Sequence, residues 1–366
     1  MNLIKTLKNI KNKVVLITGA GGSIGSEIAR QVIKGKPNNL IILDSNEYAL
    51  YVIKNEIEST NHEVNLYSII ASVTNNKRIA DVCKAFKVDT IYHSAAYKHV
   101  PLVEENPFEG VSNNIFGTIS CLNAAIESKV ETFVLVSTDK AVRPTNIMGA
   151  TKRFSEMILQ SYSEDRKTRD TTRMTMVRFG NVLGSSGSAI PLFQEQIKEG
   201  GPVTVTDPEV TRYFMSIPEA AELVIQAGAM GQGGDVFVLD MGEPVKIIDL
   251  AKRLINLSGL ELRDKNNPDG DVEIVFTGLR PGEKLYEELL IGENVNETDH
   301  NQILRAEEVF HPIDKIKLYI EQLKRAEKEN DVATLKQILQ EAIDGYDPEE
   351  EVIDVISLQE QENLKS

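Results

Sequence analysis

VVLITGAGGSIG, residues 14–25, is the stretch on which the reading of this chain turns. A short apolar run, Val14 to Thr18, stops abruptly at a turn carrying Gly19, Gly21, Gly22 and Gly25. A continuous run of that length suits a strand buried on both faces of a parallel sheet. Glycines directly after it let the backbone approach a pyrophosphate, and the helix they open aims unpaired N–H groups at that anion. Gly19, Gly22, Ser23, Ile24 and Gly25 are therefore the candidate phosphate cradle, with Gly25 allowing helix and strand to pack closely. Turns take glycine for many reasons, so the string alone is weak. It gains weight because strand, turn, helix and a second strand, Leu40 to Leu43, follow in order. No G-x-x-x-x-G-K-[ST] occurs, which argues against a phosphoryl-transfer P-loop.

Asp44 ends the second strand, about 20 residues past Gly25, where an acidic group accepts hydrogen bonds from ribose hydroxyls and repels a 2′-phosphate. The residues after it, Ser45, Asn46 and Glu47, bring no arginine. NAD is the expected cofactor rather than NADP; the alternative is that Asp44 only caps the next helix. Ser72 and Val73, after a third strand (Val64 to Ile70), are expected beside the adenine. Ala95 and Ala96, after a fourth (Thr90 to His93), are expected to floor the pyrophosphate and ribose.

Further strand signals at Thr132 to Val136 and Met174 to Val177, with helix-length segments between, predict an α/β fold: a Rossmann-type, doubly wound parallel sheet over residues 1–180. After Gly180 the pattern becomes irregular and richer in Gly and Pro. We read 181–312 as a smaller α/β lobe that binds substrate, with later segments returning to the first domain. Residues 313–366 read as a charged helical tail whose last residues fray.

Composition limits the function. The 366 residues carry 40 Lys and Arg against 55 Asp and Glu, a net charge of −15. Phosphate-rich partners need clustered basic residues, so a general nucleic-acid or anionic-membrane binder is disfavoured. Cys83 and Cys121 lie in apolar helical patterns and read as buried thiols. The five histidines show no metal-site spacing. No apolar run is long enough for a membrane span. The start, MNLIKTLKNIKNK, is a short basic amphipathic stretch without the apolar core of a signal peptide, and reads as a docking helix or a frayed end.

T-G-x-x-G-x-x-G, then SAAYKHVPLVE, NNIFGT, VSTDKAVRPTNIMGATKR, RFGNVLGSSGSAIPLF, TDPEVTRYFMSIPEA and GLRPGEKLYEELL follow one another from about residue 11 to 310. This order resembles the extended short-chain dehydrogenase/reductases, and within them the 4,6-dehydratases of UDP-N-acetylglucosamine. The resemblance implies a Rossmann domain for NAD and a C-terminal lobe for the nucleotide sugar. Most such enzymes carry Tyr-x-x-x-Lys on the helix after the fifth strand. Here the lysine is Lys152, but the tyrosine position holds Met148, which takes no proton. Methionine there resembles the dehydratases that retain configuration at C5.

The resemblance implies Thr138 at the C4 oxygen, Asp139 as the acid at C6 and Lys140 as the base at C5. Lys140 must be neutral for that role, and Lys152 and the nicotinamide charge are expected to lower its pKa. Removal of the C4 hydroxyl proton is left to Asp139, Thr138 or a water. The plain alternative for Asp139 and Lys140 is a loop ion pair. Lys98 is expected to reach substrate or cofactor, and His99 to be packed. Asn114 is expected to steady the fourth and fifth strands. Asn181, Arg212 and Arg280 are the positions implied for the nucleotide diphosphate, and Glu283 for the uridine ribose.

The activity implied is NAD-dependent 4,6-dehydration of UDP-N-acetylglucosamine in a cytoplasmic homo-oligomer, with no nucleic-acid partner and no membrane span. The chain starts almost at the first strand, which supports the soluble reading. The competing readings are a C5-inverting dehydratase, a nucleotide-sugar C4 epimerase and a non-catalytic NAD-sensing regulator.

Overall fold

The structure is a computed structural model describing residues 7–60, 63–165, 168, 170–288, 295–348 and 354–365. Residues 1–6 of the amphipathic start, and 349–351 of the acidic run that opens the last segment, lie outside these. Six strands alternate with helices: β1 (Val14–Thr18), β2 (Asn39–Asp44), β3 (Asn65–Ile70), β4 (Thr90–His93), β5 (Thr132–Val136) and β6 (Arg173–Arg178). They pair in parallel in the order 3-2-1-4-5-6. Strand order reverses between β1 and β4, the place where such sheets bind ligands beyond their carboxyl ends.

The sheet does not stop at β6. Short pairs β7 (Asn181–Val182) with β10 (Phe214–Met215), β8 (Val203–Val205) with β13 (Ile274–Phe276), and β9 (Thr211–Arg212) with β12 (Val245–Lys246) lie outside it. β11 (Asp235–Leu239) joins β6 in parallel, and β15 (Ile303–Ala306) and β14 (Val295–Glu297) extend it antiparallel, making nine strands.

Side chains alternate across the sheet. Leu16, Ile41, Ile91, Phe133 and Met174 face one core, with helices α3 (Asn76–Phe86), α6 (Gly117–Glu127) and α7 (Ile147–Glu164). Val15, Ile17, Leu40, Ile42 and Tyr92 face the other, with α1 (Ser23–Lys34), α2 (Glu47–Thr60) and α9 (Ile217–Met230). Two short helices, α4 (Val100–Glu105) and α5 (Pro107–Val111), lead into a wide helical turn at Ser112–Phe116 before α6. A third core, built on Phe193, Ile197, Val203, Val205, Ile247 and Ile255, holds α8 (Ala189–Lys198) and α10 (Ile247–Leu257).

The segment after 312 departs from the expected tail. Helices α11 (Ile313–Glu329) and α12 (Val332–Ala342) put Ile316, Tyr319, Leu323, Leu335 and Leu339 into the first core against α7. Its end forms α13 (Val355–Lys365). Among the described residues no helix is long and apolar enough to cross a membrane.

Candidate active site

The glycine turn is built to a tolerance that excludes side chains. Gly19 has φ +67°, and a Cβ there would lie 2.6 Å from the Ala95 nitrogen. A Cβ on Gly25 would lie 2.1 Å from the Gly19 oxygen. Backbone cannot move aside at those distances, so both positions require glycine. No side chain caps α1, which starts at Ser23 after Gly22, leaving that helix end to an anion.

A cavity of about 460 Å³ opens there, lined by Gly19, Gly22, Asp44, Val73, Ala95 and Ala96 among others. Asp44 accepts from the Gly21 nitrogen through Oδ2 and from the Asn46 nitrogen through Oδ1, both at 2.8 Å. It therefore ties the glycine turn to the start of α2 as well as facing the cavity. Ser72, expected beside the adenine, does not line this cavity; its hydroxyl sits 2.7 Å from that of Thr74.

A second cavity of about 460 Å³ adjoins the first and shares Gly19, Gly22 and Ala96 with it. Ser23, Ile24, Gly25, Lys98, Thr138, Lys140, Met148, Lys152 and Asn181 line it. Sheet and helix supply these groups from five places: α1, the loop after β4, the turn after β5, α7 and β7. Asn146 caps α7 by accepting from the Gly149 nitrogen at 2.8 Å, which places Met148 and Lys152 on successive turns of one helix face.

Lys152 donates to the Val136 oxygen at 2.7 Å, and burial pushes its amine down to about 8. Asn114 donates to the Tyr97 oxygen and to the Thr151 hydroxyl, each at 3.0 Å, and accepts from the Tyr97 nitrogen at 2.8 Å. It thus joins the loop after β4 to α7, not β4 to β5 as expected.

Asp139 sits behind the cavity wall, 1% exposed and absent from the lining. One of its oxygens accepts from Thr138 Oγ1 at 2.9 Å and from Lys140 Nζ at 3.1 Å; the other, Oδ2, is buried without a hydrogen-bond partner. The ion pair foreseen as the plain alternative is therefore present, and it lies at the cavity. Lys140 also reaches Asn181 Oδ1 at 3.4 Å.

The expected lowering of the Lys140 pKa is reversed. Burial does push it down, but Asp139 and Glu287 outweigh burial and hold the ammonium above the usual lysine range. Lys98 has its pKa lowered by burial and by Lys140.

Arg212 is buried and donates to Glu283 Oε1 at 2.9 Å and to the Leu285 oxygen at 3.2 Å. The two groups expected to grip diphosphate and ribose separately are paired with each other. Arg280 is exposed, and its backbone nitrogen lies 3.3 Å from Glu283 Oε2. None of Arg212, Arg280 and Glu283 lines either cavity.

Two features escaped sequence reasoning. Glu287 is buried and lies 3.3 Å from Lys140 Nζ. The loop Gly184 to Ser188 folds over the join of the cavities. Its Ser186 nitrogen donates to Ser23 Oγ at 3.3 Å, its Ser185 hydroxyl lies 3.4 Å from Lys98 Nζ, and Gly187 rests on the His99 ring. The sequence signal for the loop was its glycine spacing; for Glu287 it was only membership of a charged run.

Comparison with known proteins follows the same outline. The polysaccharide biosynthesis protein family matches residues 15–308. The capsular polysaccharide biosynthesis protein CapD of Staphylococcus aureus is 54% identical over 297 residues, covering 81% of this chain and 47% of that protein. The chain thus spans about half the length of this relative. A UDP-glucose 4-epimerase of Rickettsia rickettsii is 35% identical, over 79% of this chain and 80% of that protein. The solved structure of Pen from Bacillus thuringiensis is 33% identical with a TM-score of 0.72, covering 86% of this chain and 100% of that chain.

Proposed function

The chain belongs to the polysaccharide biosynthesis protein family, and on that premise we propose that it is an NAD-dependent 4,6-dehydratase of UDP-N-acetylglucosamine that retains configuration at C5. The carrying observation is the join of the two cavities. There the glycine turn meets Thr138, Lys140 and Lys152, and a methionine, Met148, takes the place of a hydroxyl-bearing base. In this reading the sheet and its helices hold the dinucleotide, and the lobe built on the third core holds the nucleotide sugar.

The glycine cradle and the uncapped end of α1 fit a pyrophosphate, and Asp44 fits a ribose diol. Ala95 and Ala96 leave room for the backbone of the cofactor, and Lys152 is the group for the nicotinamide ribose. When bound, the nicotinamide supplies a hydride acceptor at sugar C4 and a hydride donor at C6. Thr138 holds the C4 oxygen. Oxidation at C4 acidifies the C5 proton, and Lys140, with Asp139 behind it, moves protons at C5 and at the departing C6 hydroxyl. Positioned acid–base groups of this kind contribute about 10²–10⁴-fold each.

The charged state of Lys140 at rest matters here. It must hand its proton to Asp139 or to substrate before serving as a base, so the carboxylate pair is part of the chemistry.

Incubation with UDP-N-acetylglucosamine in D₂O tests this reading. The expected product has lost water and carries deuterium at C5, with C5 couplings of the retained sugar. Couplings of the inverted sugar would leave a dehydratase but overturn retention. A second reading, C4 epimerisation, is favoured by the Rickettsia relative; it predicts an isomer of unchanged mass with no deuterium at C5.

A further inference from the structure

We propose that Glu287 is a positioning residue of the reaction centre: its carboxylate, shared between Lys140 and Arg212, holds the Lys140 amine at the cavity and sets the charge with which it meets a ligand. This rests on the dehydratase reading for its role in catalysis, though not for its test.

Glu287 comes from a segment remote in sequence, and that segment is fastened to the loop that carries Lys140. The Gly282 oxygen accepts from the Thr145 hydroxyl and from Asn146 Nδ2, each at 3.0 Å. Lys284 donates to the Val142 oxygen at 3.0 Å, and Glu288 pairs with Arg143. With both flanks held, the Glu287 carboxylate has little freedom. Oε1 lies 3.3 Å from Lys140 Nζ and 3.9 Å from Arg212 Nε, and Oε2 is buried with no hydrogen-bond partner.

The charged groups that face Lys140 come from four elements. Asp139 lies on its own turn and Glu287 on the fastened segment; Arg212 is on β9 and Lys98 on the loop after β4. Asn181 on β7 is the uncharged neighbour. Two carboxylates thus oppose two cations around one amine, and removing either carboxylate leaves the amine facing net positive charge. Burial and Arg212 disfavour the ammonium, and Asp139 and Glu287 together oppose them. Arg212 competes for the same Glu287 oxygen, so an anion that draws Arg212 away leaves that oxygen to Lys140.

The test reads the amine directly. Trace acetic anhydride labels Lys140 in the folded protein across a pH series, and peptide mass spectrometry gives the pH at which it loses its proton. In Glu287→Gln that pH is expected to fall by about one unit or more. Glu287→Asp, which keeps the charge, is expected to stay within about half a unit of the native protein. Glu209→Gln, which breaks a surface pair with Lys246 outside this fastening, is expected to leave Lys140 unchanged. A Glu287→Gln curve that overlays the native one would overturn the proposal. So would an equal shift in Glu287→Asp or Glu209→Gln, since packing or general field would then explain it. The label reports on Lys140 whether or not a nucleotide sugar is turned over. Failure of the dehydratase reading and failure of this inference therefore remain separate results.

Discussion

Lys152 shows what a single buried charge does to stability. Its amine is pushed down to about 8 by burial, while an unfolded lysine titrates near 10.5. Between those values the unfolded chain binds the extra proton, so stability rises with pH across that window and the penalty is complete below about 8. Lys152→Met keeps the length and removes the charge. Without dinucleotide it should raise stability by up to ~3 kcal/mol at pH 7 and by much less at pH 10.5, measured by urea unfolding at both pH values. An equal gain at both would show that the charge is not the cause. At this scale the sequence was legible where sterics leave one answer. Gly19 and Gly25 could be read because no Cβ fits. Glu287 could not, because nothing in EKLYEEL says which carboxylate turns inward.

At the scale of elements, α7 owes its position to a buried charge network as much as to its apolar face. Glu156 on α7 accepts from Arg178 of β6 at 2.6 and 2.8 Å and from the Ser137 hydroxyl at 2.6 Å. Arg178 also pairs with Glu308, which in turn reaches Arg153 at 3.3 Å. Burial pushes the Glu156 carboxyl up, but Arg178, Arg153 and Ser137 outweigh it and hold it below the usual range. Its contribution is therefore full above about 4.5 and lost as pH falls further. Glu156→Ala should cost about 3–5 kcal/mol by leaving the buried Arg178 only Glu308 as a charged partner. The double variant Glu156→Leu, Arg178→Met should cost less than that single change. Denaturant midpoints decide it, and a double variant worse than Glu156→Ala would contradict the account. The first six strands were legible because most are short, largely apolar runs and β3 alternates around Leu66 and Ile69. β14 and β15 were not, because VNE and ILRA carry too little apolar pattern to stand out.

For the whole molecule, the chain beyond 312 is part of the core rather than an appendage. Charge periodicity made its helices legible, but which face they cover depends on α7, far away in sequence. Ending the chain before Ile313 would remove Ile316, Tyr319, Leu323, Leu335 and Leu339 and expose the face of α7 that they cover. Each buried large apolar side chain is worth about 1.5–3 kcal/mol, and five of them rival the total stability of a domain, about 5–15 kcal/mol. The truncated chain should show no cooperative thermal transition by circular dichroism; a transition near that of the full chain would contradict this packing role. The net charge of −15 is compatible with the proposed anionic ligands because the cationic groups at the cavities are local: a helix end, Lys98, Lys140 and Lys152. In the proposed reaction one site oxidises C4 and reduces C6 of the same sugar without an outside reductant. UDP-N-acetylglucosamine carrying deuterium at C4 tests it most directly, with the product followed by deuterium NMR. The account predicts that the label moves to the C6 methyl group of a 4-keto product. Label found still at C4, in recovered substrate or in its C4 epimer, would contradict it.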